Sequence, residues 1–165
     1  MRFLGLLLAL ALVPLAARAE GPAAPTAPAP APKPAPPATC TLKIIQALAT
    51  PGEIDPKIKL LRAKLQEPPF NTWKTFKVLS EEGQSIASGA SARYGAPEGS
   101  VTVTYSEHKV KEGGKHAIKA TMSVETGKSQ TKTTFTLDEG KHFLTVGPKH
   151  GEGTLIYSLT CSTPD

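Results

Sequence analysis

Four histidines, His108, His116, His142 and His150, offer the first chemistry to test, because imidazoles on neighbouring strands can converge on Zn2+ or Cu2+. His108 and His116 flank a Gly113-Gly114 turn and could face each other across a hairpin. Against a metal, each histidine has lysine close by, as in Lys115-His116, Lys141-His142 and Lys149-His150, which disfavours a cation. The expectation is surface histidines, with no metal site and no cofactor. The competing expectation, a small secreted metal-dependent hydrolase, requires three of the four within coordinating reach.

Nucleophile patterns add little. Ser106-Glu107-His108-Lys109 and Ser129-Gln130-Thr131-Lys132 both match S-x-x-K, a pattern that belongs at a helix N-terminus beside companion motifs absent from this chain. Gly127-Lys128-Ser129 resembles the end of a phosphate loop, but position 122 is Met and a threonine-rich strand follows instead of a helix. The carboxylate pairs Glu81-Glu82 and Asp138-Glu139 fall at expected turn tips, whereas an acid/base pair needs burial to separate its pKa values. No catalytic residues are assigned.

The two cysteines, Cys40 and Cys161, bracket nearly everything that reads as folded and are expected to form one structural disulfide. No C-x-x-C pair points to redox chemistry. Before Cys40 the chain reads as an export leader. Arg2 is followed by an apolar run over 3–16 and by Ala17-Arg18-Ala19, a small-x-small cleavage site, so residues 1–19 are expected to be a signal peptide. The run is shorter than the roughly 20 residues that span a bilayer, and Pro14 interrupts it, so stable membrane insertion is not expected. No cysteine follows the cleavage site as a lipid-attachment point. Residues 20–39 are dense in proline and alanine, which fixes φ and removes donors, leaving a disordered or polyproline II spacer. At about 3.1 Å per residue it reaches roughly 60 Å.

Residues 40–165 make one unit of 126 residues, long enough to bury a core. Its 16 Lys and Arg against 13 Asp and Glu leave a net charge of +3, with the lysines scattered between acids, so the footprint of a nucleic-acid binder is missing. A strand is expected over 40–49, followed by a helix. Asp55-Pro56 supplies an N-cap and a first-turn proline, Ile58, Leu61 and Leu65 fall at helical spacing, and Pro68-Pro69 ends the run. Lys57, Arg62 and Lys64 should stay in water.

Strands are expected over 73–79, a weak pair within 84–94, then 101–110, 117–125, 131–137, 142–146 and 154–160. Turn signals at Glu81-Glu82-Gly83, Ala96-Pro97-Glu98-Gly99, Glu112-Gly113-Gly114, Glu125-Thr126-Gly127-Lys128, Asp138-Glu139-Gly140 and Gly147-Pro148 separate them. The expected fold is mainly β: an antiparallel β-sandwich of seven or eight strands with one short N-terminal α-helix, closed by one disulfide.

One stretch between the last two expected strands is a candidate binding loop. Gly147, Gly151 and Gly153 would let the backbone approach a ligand, with Lys149 and His150 as donors to an anionic or carbonyl group.

The run over 55–79 with Pro68-Pro69-Phe70 and Lys77-Val78-Leu79, together with Val146-Gly147-Pro148 and Gly153-Thr154-Leu155-Ile156, resembles a set of uncharacterised exported bacterial envelope proteins. The resemblance implies a bacterial envelope setting, periplasmic or extracellular, and no activity. The expected function is accordingly a non-enzymatic exported domain that contacts a protein or glycan of the cell envelope. Strand edges and the candidate loop would be its contact surfaces. A secreted inhibitor is a third class, and it would need a protruding convex loop.

Overall fold

The computed structural model describes residues 35–164. The expected signal peptide, and the proline-alanine tract up to residue 34, lie outside the described residues.

Among the described residues, eight strands form two antiparallel four-stranded sheets. The first sheet contains β1 (Ala38–Leu48), β2 (Thr75–Ile86), β7 (Phe143–His150) and β8 (Gly153–Ser162), in the order β2-β1-β8-β7. The second is a meander of β3 (Ser91–Ala96), β4 (Gly99–Val110), β5 (His116–Thr126) and β6 (Ser129–Asp138). The chain therefore leaves the first sheet after β2, builds the whole second sheet from short hairpins, and returns for β7 and β8. The expected sandwich architecture and the Cys40–Cys161 disulfide are both present.

Alternation along the strands explains the layers. On β5, Ile118, Ala120 and Met122 point into the inter-sheet core, whereas Lys119 is exposed. The facing sheet supplies Leu42 and Ile44 from β1 and Leu155, Tyr157 and Leu159 from β8. All three tyrosines, Tyr94, Tyr105 and Tyr157, are in this core. The Tyr94 hydroxyl donates to the Cys40 carbonyl at 2.8 Å, and burial, with the Glu82 charge second, pushes its pKa up to about 12. It is a neutral donor that joins the two sheets at all ordinary pH values.

β8 and the second half of β1 are buried on both faces, and the segment after β1 is the reason. Ile45, Ala47 and Ile156 point away from the inter-sheet core and pack with Ile58, Leu61 and Leu65. Those three residues were expected to form the buried face of a helix, but the backbone is different. Pro56–Leu61 is a 3-10 segment, and only Arg62–Leu65, α1, is α-helical. Asp55 caps the segment as expected, its Oδ1 accepting from the Lys57 amide at 2.9 Å, and Pro56 follows. Ile58 departs from helical geometry at φ −120° and ψ 19°. So short a helix has little intrinsic stability, and packing of its apolar residues on the sheet overrides regular hydrogen bonding.

Two further boundaries differ from expectation. β1 begins at Ala38, which is fully buried and pairs with Ile86, so the folded part reaches two residues into the expected spacer. The Glu81-Glu82-Gly83 turn signal lies inside β2. As an edge strand β2 tolerates polar residues on its exposed faces, and Glu81 forms an ion pair with Lys43 of β1 at 3.0 Å.

Candidate functional site

The sandwich has two open sides, and they differ. On one side β2 passes directly into β3, and the Gln84 side chain donates to the Arg93 carbonyl at 2.8 Å, joining the two sheet edges. On the other side β6 and β7 flank the core. Near the crossover between them, Phe135 and Phe143 stack face to face, with centroids 3.8 Å apart and planes within 5°. Farther along, the two edges part.

The gap is a groove of about 340 Å3. Met122 and Val124 line it from β5, and Thr131 and Thr133 from β6. Thr145, Val146, Gly147 and Pro148 of β7 form the opposite wall, with Thr126 and Ser129 also lining the cavity. Among the described residues, none that lines this groove carries a charge. Its chemistry is an apolar floor beneath a row of hydroxyls. That suits an uncharged chain with apolar side groups and backbone amides better than an anion or a metal.

The two edges beside the groove are unequal as docking strands. β7 is interrupted by a register shift between Val146 and Lys149 and contains Pro148, two devices that blunt an edge. β6 runs for 10 residues, paired with β5 without a register shift, and contains neither proline nor glycine. Of the other edge strands, β2 is shielded in part and carries a register shift, and β3 is short. β2 is covered near its start, where Ile54 bridges Phe76 and the Phe76 amide donates to the Glu53 carbonyl at 3.1 Å. β3 has six residues.

The candidate loop is mostly strand. Gly147, Lys149 and His150 belong to β7, and the turn is the two residues Gly151 and Glu152. Each glycine has a local structural cause. A Cβ on Gly147 would lie 2.4 Å from the Tyr157 ring, and one on Gly153 would lie 2.6 Å from the Ala47 carbonyl oxygen. Gly151 takes φ 56° at the hairpin turn, a left-handed conformation that glycine adopts without steric cost. His150 is held by Glu98 of the β3–β4 turn, Nδ1 to Oε1 at 2.7 Å, while Lys149 is exposed. Of this set Gly147 lines the groove and the others do not.

The histidines separate into three places. His142 lies on the outer side of the first sheet, its Nδ1 3.3 Å from the Ser158 hydroxyl. Burial, with the Lys64 and Lys43 charges, lowers its pKa. His150 is at the far end beside Glu98. His108 and His116 do meet across the β4–β5 hairpin, Nε2 to Nδ1 at 3.0 Å, and His116 Nδ1 is 3.2 Å from the Thr163 hydroxyl. Among the described residues, no three His, Cys, Asp or Glu side chains are grouped to hold a metal.

The remaining sequence patterns have structural roles. Ser106 falls where the β4–β5 register shifts, and Gly127-Lys128 is the β5–β6 turn. Asp138 pairs with Lys111, whose hydrogen bond holds its carboxyl below the usual range, and Glu139 accepts from the Thr163 amide at 2.9 Å. The groove hydroxyls were missed by sequence reasoning. A signal existed: Thr131 and Thr133 occupy the positions of β6 that alternate inward with Phe135 and Leu137, where a filled core would place apolar side chains.

The class this fold and site define is an antiparallel two-sheet sandwich, cross-linked at one end and open along the β6–β7 side. Comparison with known proteins finds no match among family models, curated proteins or solved structures.

Proposed function

We propose that this chain is a non-enzymatic, exported binding domain of the bacterial cell envelope. Its ligand is an extended polypeptide segment that adds to the edge of β6 and places an uncharged side chain in the adjacent groove. The observation that carries the reading is the coincidence of an edge strand free of bulge, proline and glycine with a neutral groove at its inward face. Edge addition supplies affinity through main-chain hydrogen bonds, and alternate side-chain pockets supply selectivity. A polypeptide suits the groove better than a glycan, because no aromatic side chain and no charged group lines it. The disulfide, which persists in oxidising compartments, is compatible with export, and no helix among the described residues is long and apolar enough to cross a membrane.

The test is parallel capture from envelope extract with the mature chain and with T133W, which fills the groove. A polypeptide retained by the wild type and lost with the variant, together with slowed amide exchange along β6 in the complex, is the expected result. Capture of a glycan, a partner indifferent to T133W, or protection confined to β2 would sink the reading. Far-UV circular dichroism of the variant establishes that it is folded.

A further inference from the structure

At the opposite end from the His150–Glu98 contact, the β4–β5 hairpin brings two imidazoles together. The register shift after Tyr105 turns the last part of β4 so that His108 lies opposite Ile118, whose side chain is in the inter-sheet core. Val110 pairs with His116, so His108 and His116 are diagonal neighbours on one face of the hairpin, with centroids 4.9 Å apart and planes inclined at 49°. Both rings are half-buried, and Thr163, just beyond β8 on the facing sheet, is buried beside them. His116 Nδ1 is thus within hydrogen-bond distance of both His108 Nε2 and Thr163 Oγ1, which brings two imidazole nitrogens and a hydroxyl to one corner of the fold.

We propose that this cluster binds a divalent late transition-metal ion, Cu2+ in preference to Zn2+. The 3.0 Å separation is that of a hydrogen bond between the two rings, and an ion that replaced the shared proton would draw on the same two nitrogens. Cu2+ forms the strongest complexes of the first-row divalent ions and accepts tetragonal nitrogen and oxygen donors, with water at the remaining positions. Zn2+ in structural sites takes four protein ligands, which this cluster does not offer.

The lysines that argue against a cation from the sequence are largely compensated. Lys109 pairs with Glu107 at 3.3 Å, and Lys111 pairs with Asp138. Lys115 and Lys141 line the cavity beside His116, and Glu139 faces them there. The site holds the hairpin, β8 and the Glu139 corner in one place, so a bound ion would tie the two sheets near the Cys40–Cys161 crosslink.

The experiment uses the untagged mature chain and Cu2+ alone, followed by isothermal titration, by electron paramagnetic resonance and by proton NMR of the imidazoles. One equivalent is expected to bind, with hyperfine coupling to two nitrogens and paramagnetic broadening that begins at His108 and His116. H108A is expected to lower the affinity at least about tenfold, the lower end of what even outer-sphere partners cost, while H142A and H150A leave it unchanged. Broadening that starts at His142 or His150, affinity unaltered in H108A, or no stoichiometric binding would each overturn the proposal and leave the pair as a hydrogen bond between two rings. Because broadening is read on the wild type, the outcome stands even if H108A does not fold.

Discussion

His142 shows how a single side chain acquires its properties from a neighbour that the sequence does not bring close. Its ring is half-buried between the outer face of the first sheet and the segment containing Lys64, whose ammonium donates to the His142 carbonyl at 2.8 Å. Burial and the two nearby lysines lower its pKa from the ordinary 6.5. In the window below that value the unfolded chain binds the proton more readily than the folded one. Stability therefore is fully present above about pH 6.5 and declines as pH falls through the lower folded-state value. H142Q is expected to flatten this dependence. Denaturant midpoints at about pH 5 and about pH 8 should differ less in the variant than in the wild type. Equal differences would remove His142 from the acid response. Asp55 works with the opposite charge. Its carboxyl accepts from the Lys57 and Val78 amides, which lowers its pKa, and so it too contributes least in acid.

Among the elements, the short segment over 56–65 was recognised from its cap and its apolar spacing, and the residues assigned to its buried face are buried. Its conformation was not legible, since the same spacing suits a regular helix, and only contact with Ile45, Ala47 and Ile156 decides how each apolar residue is presented. Adjacent leucines test this. Leu60 is 94% exposed and Leu61 2% exposed. L61A is expected to cost about 2–5 kcal/mol in chemical denaturation, and L60A to stay within about 0.5 kcal/mol. Comparable losses at both positions would mean that the segment does not pack as described. The β6 edge is likewise an element-scale property. Its threonine-rich pattern reads as a strand in the sequence, yet nothing local distinguishes a strand flanked on both sides from one with a free edge.

For the molecule as a whole, the chain ends of the folded unit lie side by side. β1 and β8 pair over nine residues from each strand, and Cys40 lies directly opposite Cys161 at a Cα separation of 4.1 Å, closing a sequence separation of 121. In the chain-entropy account a loop of that length contributes about 4–5 kcal/mol by restricting the unfolded ensemble. C40A/C161A is expected to unfold at lower denaturant with a loss approaching that size while keeping its β-sheet circular dichroism. A loss below about 1 kcal/mol would show that the unfolded chain without the crosslink already retains structure that restricts it.

The sequence by itself determined the class of fold, the disulfide and most strand positions, because period-two alternation and glycine-rich turns are local signals, and only two cysteines are present. It did not determine which strands become edges, that two histidines would meet while two stand apart, or that Gly147, Gly151 and Gly153 serve packing and turning. Those outcomes depend on register and on which sheets face each other. A shift of one residue in pairing exchanges the faces of a strand, so a groove or a pair of converging rings exists only once the whole sandwich has closed.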